Sequence, residues 1–268
     1  MAKCINCEKK VAENFCSNCG QRVGVKRITF REGWYDFWAR IYGFDGMFPR
    51  TLRDLTIRPG AAARTFIAGN RVKYYGPVGY FFLMITLLYL VAAILEIPLT
   101  EFMRSSNKST NFMPTPKEGS GIQKFSEVVI QFVSDNLKFV TFLYIPIQAF
   151  CARFIFFRKS NFNYLENTIL PFYVQGHIYW LSILSLVMYK VFGAFVPSVM
   201  ILLGSIILVG YANANFFNYQ SRTKAFIKGV GVYILSQLLF IVIAIAAVSI
   251  LISTNAEIYE MLKPSNNK

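Results

Sequence analysis

The chain of 268 residues has a single histidine, His177, and only one cysteine beyond residue 19, Cys151. It contains no His-x-x-x-His pair, no Gly-x-Ser-x-Gly elbow, no glycine-rich phosphate loop and no acidic pair inside an apolar run. Hydrolysis, catalysis by a histidine-bound metal and nucleotide binding each need such arrangements, so the sequence points away from an enzyme. No apolar run precedes residue 78, and no signal peptide is expected. Acidic residues are also scarce, 14 against 28 Lys and Arg, giving a net charge of +14.

Apolar and aromatic residues are abundant. Hydrophobic residues make up 54% of the chain and aromatics 16%, with 26 Phe and 15 Tyr, and the mean hydropathy is +0.41. This is the composition of a membrane protein, with aromatics suited to the headgroup zone. A helix needs about 20 apolar residues to cross a hydrocarbon core about 30 Å thick. Five stretches qualify: Val78 to Leu95, Phe139 to Phe157, Thr168 to Tyr189, Val196 to Tyr211 and Gly229 to Ile252. The second carries Pro146, Gln148 and Arg153, and the fourth is short.

Basic residues set the orientation, because Lys and Arg are retained on the cytosolic side. Residues 1–77 hold 14 of them. Together with Arg153, Arg158, Lys159, Arg222, Lys224 and Lys228, one side of the membrane carries 20 of the 28. After subtraction of seven acidic residues on each side, the net charges are +13 and +1. A cytosolic N-terminus and a periplasmic C-terminus follow, with the positive face toward the anionic leaflet lipids.

Cys4-x2-Cys7 and Cys16-x2-Cys19 are two paired-thiol knuckles of the kind that wrap a tetrahedral ion, and Gly20 suits the tight turn after the last thiol. A cytosolic location disfavours disulfides. Zinc is the expected ion, with rubredoxin-like iron or an iron–sulfur cluster as alternatives. Four Cys ligands leave no open coordination position, so the zinc would be structural, supplying about 10–16 kcal/mol of apparent folding free energy. Cys151, inside the second span, reads as an inert packing residue.

Between the knuckles and the first span, Phe30, Trp34, Phe37, Trp38 and Ile41 fall on one helical face, and Thr29 with Glu32 makes a capping box. This amphipathic helix either lies in the membrane interface or docks on the bundle. PRTLRDL (Pro49 to Leu55) and RPGAAARTFIAG (Arg58 to Gly69) each place a Pro near a helix start, with Gly69 closing the second. Arg58, Arg64, Arg71 and Lys73 are candidates for gripping lipid phosphates or a phosphorylated ligand, while the reading preferred for them is ordinary positive-inside anchoring, with Tyr74 and Tyr75 in the aromatic belt. Lys9, Lys10, Arg22, Lys26 and Arg27 could serve nucleic acid, but they equally serve attraction to the membrane, and nucleic-acid binding is not expected.

The segment LTIRPGAAARTFIAGNRVKYYGPVGYFFL, after a CxxC…CxxCG ribbon and GFDGMFPRTLRDL, resembles an uncharacterised family of membrane proteins from Bacteroidota. That family pairs an N-terminal zinc ribbon with Arg-Pro-Gly and Gly-x-Arg-x-x-Tyr-x-x-Pro signatures and several hydrophobic helices. The resemblance covers residues 4–95, implies a bacterial inner-membrane location and supplies no activity. A looser similarity, in span number and cytosolic N-terminus, is to the Yip1-like proteins linked to trafficking and membrane organisation.

Residues 96–121 read as a polar, mobile loop rich in Ser, Thr, Asn and Pro, followed by a surface helix with Ile122, Phe125, Val129, Phe132 and Val133 on one face. Polar groups within spans are costly in lipid and mark partners or cavities. Here they are Gln148, Arg153, Gln175, His177, Asn213, Asn215, Asn218 and Gln237. His177, with Gln175 and Glu166, suggests a polar path, used either for interhelical hydrogen bonding or for proton relay. The asparagines of YANANFFNYQ read as a cap on the fourth span or the lining of a shallow cavity.

The expected protein is an all-α integral membrane protein of five transmembrane helices with a small N-terminal zinc ribbon. Residues 1–22 form the cytosolic ribbon and 23–77 an amphipathic basic juxtamembrane segment. Residues 78–252 form the transmembrane domain with an external loop at 96–138, and 253–268 an external tail. The expected role is a non-enzymatic inner-membrane scaffold or regulator whose ribbon engages a protein partner. The alternative is a transporter or lipid-handling protein using polar residues of the third and fourth spans. Self-association is left open.

Overall fold

A computed structural model describes residues 2–4, 6–20, 47–110, 121–193, 196 and 198–254. They fall in two compact units, Met1–Gly46 and Met47–Lys268. The aromatic helix expected around Phe30 to Ile41 and the tail at 255–268 lie outside the described residues.

In the first unit, β1 (Ala2–Lys3) pairs antiparallel with β2 (Lys10–Val11), Ala2 opposite Val11 and Lys3 opposite Lys10. The ladder continues with the Cys4 amide donating to the Lys9 carbonyl at 2.9 Å. Its apolar core is Cys4, Val11 and Cys16, with Cys7 packed on them. So small a core cannot offset the conformational entropy lost on ordering the segment.

The second unit is helical. In chain order it contains α1 (Met47–Ile57), α2 (Pro59–Ile67), α3 (Pro77–Leu95), α4 (Leu99–Thr110), α5 (Gly121–Asp135) and α6 (Leu137–Phe150). A π-helical turn, Cys151–Phe156, continues α6, and α7 (Tyr164–Phe192), α8 (Ser198–Phe216) and α9 (Arg222–Thr254) follow. Among the described residues, five stretches are long and apolar enough to cross a membrane: Pro77–Leu95, Leu137–Phe156, Tyr164–Phe192, Val199–Phe216 and Arg222–Ala247. This is the pattern of a multi-pass membrane protein. Of the five, α7 is the most enclosed, 61% of its apolar stretch being buried against 17% for α9. α3 and α6 pack along α7, and α9 packs along α8.

Local chemistry accounts for the helix ends. Pro59 and Pro77 each open a helix with the fixed φ and missing N–H that the first turn tolerates. Asn163 and Glu166 form a reciprocal capping box at the start of α7, Asn163 Oδ1 accepting from the Glu166 amide and Glu166 Oε2 from the Asn163 amide, both at 2.8 Å. Glu166 is thereby engaged at the helix end.

The segment after α3 departs from the mobile loop expected of it, since Leu99–Thr110 is helical. Ile97 and Leu99 are buried and Phe102 packs on the core. Tyr189 Oη donates to Glu101 Oε1 at 2.7 Å, and Lys190 Nζ to the Leu95 carbonyl at 3.1 Å. Apolar residues at the head of the segment hold it, although its overall composition is that of a loop.

Candidate metal centre and buried polar sites

The two knuckles are congruent. The Glu8 amide donates to the Cys4 carbonyl at 2.9 Å and the Gly20 amide to the Cys16 carbonyl at 2.8 Å. The residue after each second thiol takes the left-handed conformation, Glu8 at φ +58° and Gly20 at φ +72°, which glycine adopts without steric cost. Lys9 Nζ ties one knuckle to the other through Asn18 Oδ1 at 2.7 Å. All four Sγ atoms lie within 4.8 Å of one another, with Cys4–Cys19 and Cys7–Cys16 each at 3.5 Å. A tetrahedral Zn–S bond of ~2.3 Å gives sulfur–sulfur edges of about 3.8 Å, so the donor set fits one such ion.

The backbone favours the thiolate form that a metal needs. Amide groups of Asn18 and Cys19 directed at Cys16 lower its pKa to about 6. Cys4 is lowered by the amides of Cys7 and Asn6.

In the second unit, α1 and α2 form a short hairpin that docks against α7 and α8. At its tip Gly60 lies backbone to backbone on α8. A Cβ there would sit 2.5 Å from the Ala212 carbonyl oxygen and from the Asn215 carbonyl carbon, so only glycine allows the approach. Tyr211 Oη donates to the Ile57 carbonyl at 2.6 Å. Arg64 donates to the carbonyls of Asn215 and Phe216, the latter at 3.1 Å, and so caps the C-terminus of α8 where acceptors lack intrahelical partners. The asparagines do not supply this cap: Asn213 Nδ2 bonds back to the Val209 carbonyl at 2.8 Å and Asn215 Nδ2 to the Tyr211 carbonyl at 3.0 Å.

Asp54 locks the hairpin to the chain entering α3. Its carboxylate is buried and accepts from Tyr74 Oη at 2.7 Å, from Arg58 at 3.1 Å and from Arg53 at 3.0 Å. Burial alone would raise its pKa, but these three donors outweigh it and hold the carboxyl below its ordinary value. The Tyr75 amide donates to Thr51 Oγ1 at 2.9 Å, and Tyr173 Oη to the Tyr75 carbonyl at 2.6 Å.

His177 is 8% exposed and sits between the hairpin and the first span. Its Nε2 is 3.2 Å from Thr56 Oγ1 and its Nδ1 is 3.1 Å from Tyr80 Oη. Thr56 gives its hydroxyl proton to the Leu52 carbonyl at 2.9 Å. It therefore accepts from His177 Nε2–H, which leaves Nδ1 to accept from Tyr80. Both imidazole nitrogens are thus engaged, and in the neutral ring the network selects the tautomer with its proton on Nε2.

The candidate cations separate into different roles. Arg58 pairs with Asp54 while about half exposed, and Arg64 caps α8. Arg71 lies over the Phe66 ring at 5.8 Å and Lys73 over Tyr74 at 5.3 Å. The three polar candidates of the spans separate as well, His177 facing the hairpin and the other two lining different cavities. Asn213, Gln148 and Asn167 line one of about 10 Å³, room for a single water. Gln148 Oε1 and Asn167 Oδ1 take no hydrogen bond from the described protein. Gln175 lines a second cavity of about 130 Å³ together with Thr141, Tyr144, Ser205, Tyr233 and Gln237. His177 lines neither.

Several participants carry little signal in the sequence. Thr56 and Tyr80 meet His177 across 121 and 97 residues of chain, with no local pattern to mark them. Asp54 stands out only as one acid among arginines. Tyr144, Ser205 and Tyr233 pass as ordinary span residues because an aromatic or small side chain hides a hydroxyl in a hydropathy profile.

Residues 45–89 match the model of a family described as "Protein of unknown function (DUF3667)". The matched stretch takes in the hairpin, the Asp54–Tyr74 lock and most of the first span. No curated protein and no solved structure matches the chain.

Proposed function

We propose that the protein is a non-enzymatic scaffold or regulator of a bacterial inner membrane. In this reading the N-terminal module holds one structural zinc through Cys4, Cys7, Cys16 and Cys19 and engages a cytosolic protein, and the bundle anchors it. The observation that carries the reading is the closed four-thiol set, its sulfurs mutually within 4.8 Å. Four thiolates complete a tetrahedron and leave no position for substrate or water, so the ion supplies folding energy and a rigid surface. The excess of Lys and Arg on the N-terminal side supports a cytosolic placement beside anionic lipid.

The test is metal analysis of the purified chain together with crosslinking pull-down from native membranes, comparing the full chain, a Cys16→Ser variant and a chain lacking residues 1–22. One zinc per full chain, and partners lost from both altered chains while membrane insertion persists, is the expected result. An unchanged set of crosslinked partners would sink the scaffold reading. Iron in place of zinc would replace the metal assignment alone.

A further inference from the structure

Polar side chains in a membrane bundle usually find one another across helix interfaces. Tyr144 of α6 and Ser236 of α9 do so, at 2.7 Å. Beside that pair, polar groups from four helices ring a cavity of about 130 Å³: Thr141 and Tyr144 from α6, Gln175 from α7, Ser205 from α8, Tyr233 and Gln237 from α9. Each lies within its helix, and all are buried or half-buried. A packing defect would be lined by aliphatic groups, whereas two thirds of this lining carries hydrogen-bonding atoms, with Ile178 and Phe240 among the rest.

The hydrogen bonds already made define what the chamber can accept. Thr141 donates its proton to the Leu137 carbonyl at 2.6 Å and Ser205 to the Ile201 carbonyl at 2.8 Å. Ser236 donates to the Tyr233 carbonyl at 2.9 Å, so Tyr144 must donate to Ser236. The hydroxyl oxygens of Thr141, Ser205 and Tyr144 are therefore left with lone pairs only, while Tyr233, which hydrogen-bonds with Ser205 and Gln237, and the two glutamine amides offer donors as well as acceptors. A ligand that fits must bring O–H or N–H donors for the lone pairs and can accept from the tyrosine and the amides. Among the lining residues there is no charged group, and an unpaired ion at this depth in hydrocarbon is costly, so the ligand is neutral. The cavity is partly open, and its volume of about 130 Å³ has room for about six non-hydrogen atoms.

We propose that this intramembrane chamber binds a small uncharged polyol of the glycerol class, its hydroxyls donating to Thr141, Ser205 and Tyr144 and exchanging hydrogen bonds with Gln175 and Gln237. The proposal is independent of the role assigned to the thiol module.

The experiment is saturation-transfer-difference NMR on the full chain in lipid nanodiscs, with glycerol, ethylene glycol and sorbitol as probes and empty nanodiscs as the blank. Glycerol is expected to receive saturation above the blank, and sorbitol, too large to fit within the chamber, clearly less than glycerol. In Ser205→Leu, which fills the void, the glycerol signal is expected to fall at least about threefold. Glycerol at the level of the blank, the result if water alone occupies the chamber, would overturn the proposal. So would sorbitol signals equal to those of glycerol, or a glycerol signal undiminished in a folded Ser205→Leu. If that variant does not fold, the size series on the unaltered chain decides by itself.

Discussion

The four-cysteine module and the α1–α2 hairpin are short segments of comparable length, each too small to fold on its own core, and they are held by opposite means. The module buries little beyond Cys4, Val11 and Cys16 and brings four thiols together locally. The hairpin brings no ligand set. It is fixed by Gly60, Arg64 and Ile57 against the far end of α8, by Thr56 against His177 and by Asp54 against Tyr74. On the proposed reading, a segment without a core draws its stability either from an ion or from a surface made elsewhere in the chain. The two solutions fail differently when disturbed.

The largest expected effect is on the module. Chelation or Cys16→Ser removes a contribution on the order of 10–16 kcal/mol. Residues 2–20 should become protease-sensitive while the far-UV helical signal of the bundle stays unchanged. A parallel loss of helicity would break the contrast, since the bundle would then depend on the ion too.

Next comes the hairpin tip. Gly60→Val places a branched side chain where the α8 backbone already sits, and a cost above about 4 kcal/mol is expected because neither backbone can yield cheaply. The readouts are a lowered midpoint of thermal unfolding and new tryptic cleavage after Arg64. An unaltered cleavage pattern would mean that the seat on α8 is dispensable.

Asp54→Asn tests the lock at intermediate size. The expected loss is about 2–3 kcal/mol at neutral pH, less than for a fully buried pair because Arg53 and Arg58 are 65% and 52% exposed and screened by solvent. The folded-state pKa of Asp54 is depressed, so its contribution is present above the unfolded value of ~3.9 and lost as pH falls through the folded value. The stability difference between the unaltered chain and the Asp54→Asn variant should therefore shrink below about pH 4. A difference independent of pH would show that the interaction does not need the charge.

The smallest effect is expected at His177. Tyr80→Phe removes one neutral hydrogen bond and should cost about 1 kcal/mol, and His177→Ala about 1–3 kcal/mol. A double-mutant cycle should show the two coupled, because each leaves the other's group without its partner. Additive losses would mean that the Tyr80–His177 hydrogen bond contributes nothing to stability.

The spans were legible because little besides a membrane demands an unbroken apolar run of about 20 residues, and the thiol spacing because few chemistries use it. The hairpin was legible only as two helix starts, through Pro49 and Pro59. Its docking was hidden because Arg58 and Arg64 read as surface anchors, whereas a guanidinium also satisfies helix-end carbonyls. The Asn163–Glu166 capping box carries a local signature, but Glu166 drew attention as an acid near a histidine instead. The chamber around Ser205 was hidden for a geometric reason, since four helices each contribute one or two modest groups and no single span looks unusual.

The seat of Arg64 also sets an order of events during biosynthesis. Its acceptors, the carbonyls of Asn215 and Phe216, are 151 and 152 residues downstream. At ~5–20 residues per second the ribosome needs about 8–30 s to make that stretch. Throughout that interval the hairpin, carrying Arg50, Arg53, Arg58 and Arg64, has no α8 to rest on, and it is too charged to enter the bilayer as a span. Among these elements the segment synthesised first must be the last to settle, and a ribosome pause before residue 216 would lengthen its exposure without altering a single residue.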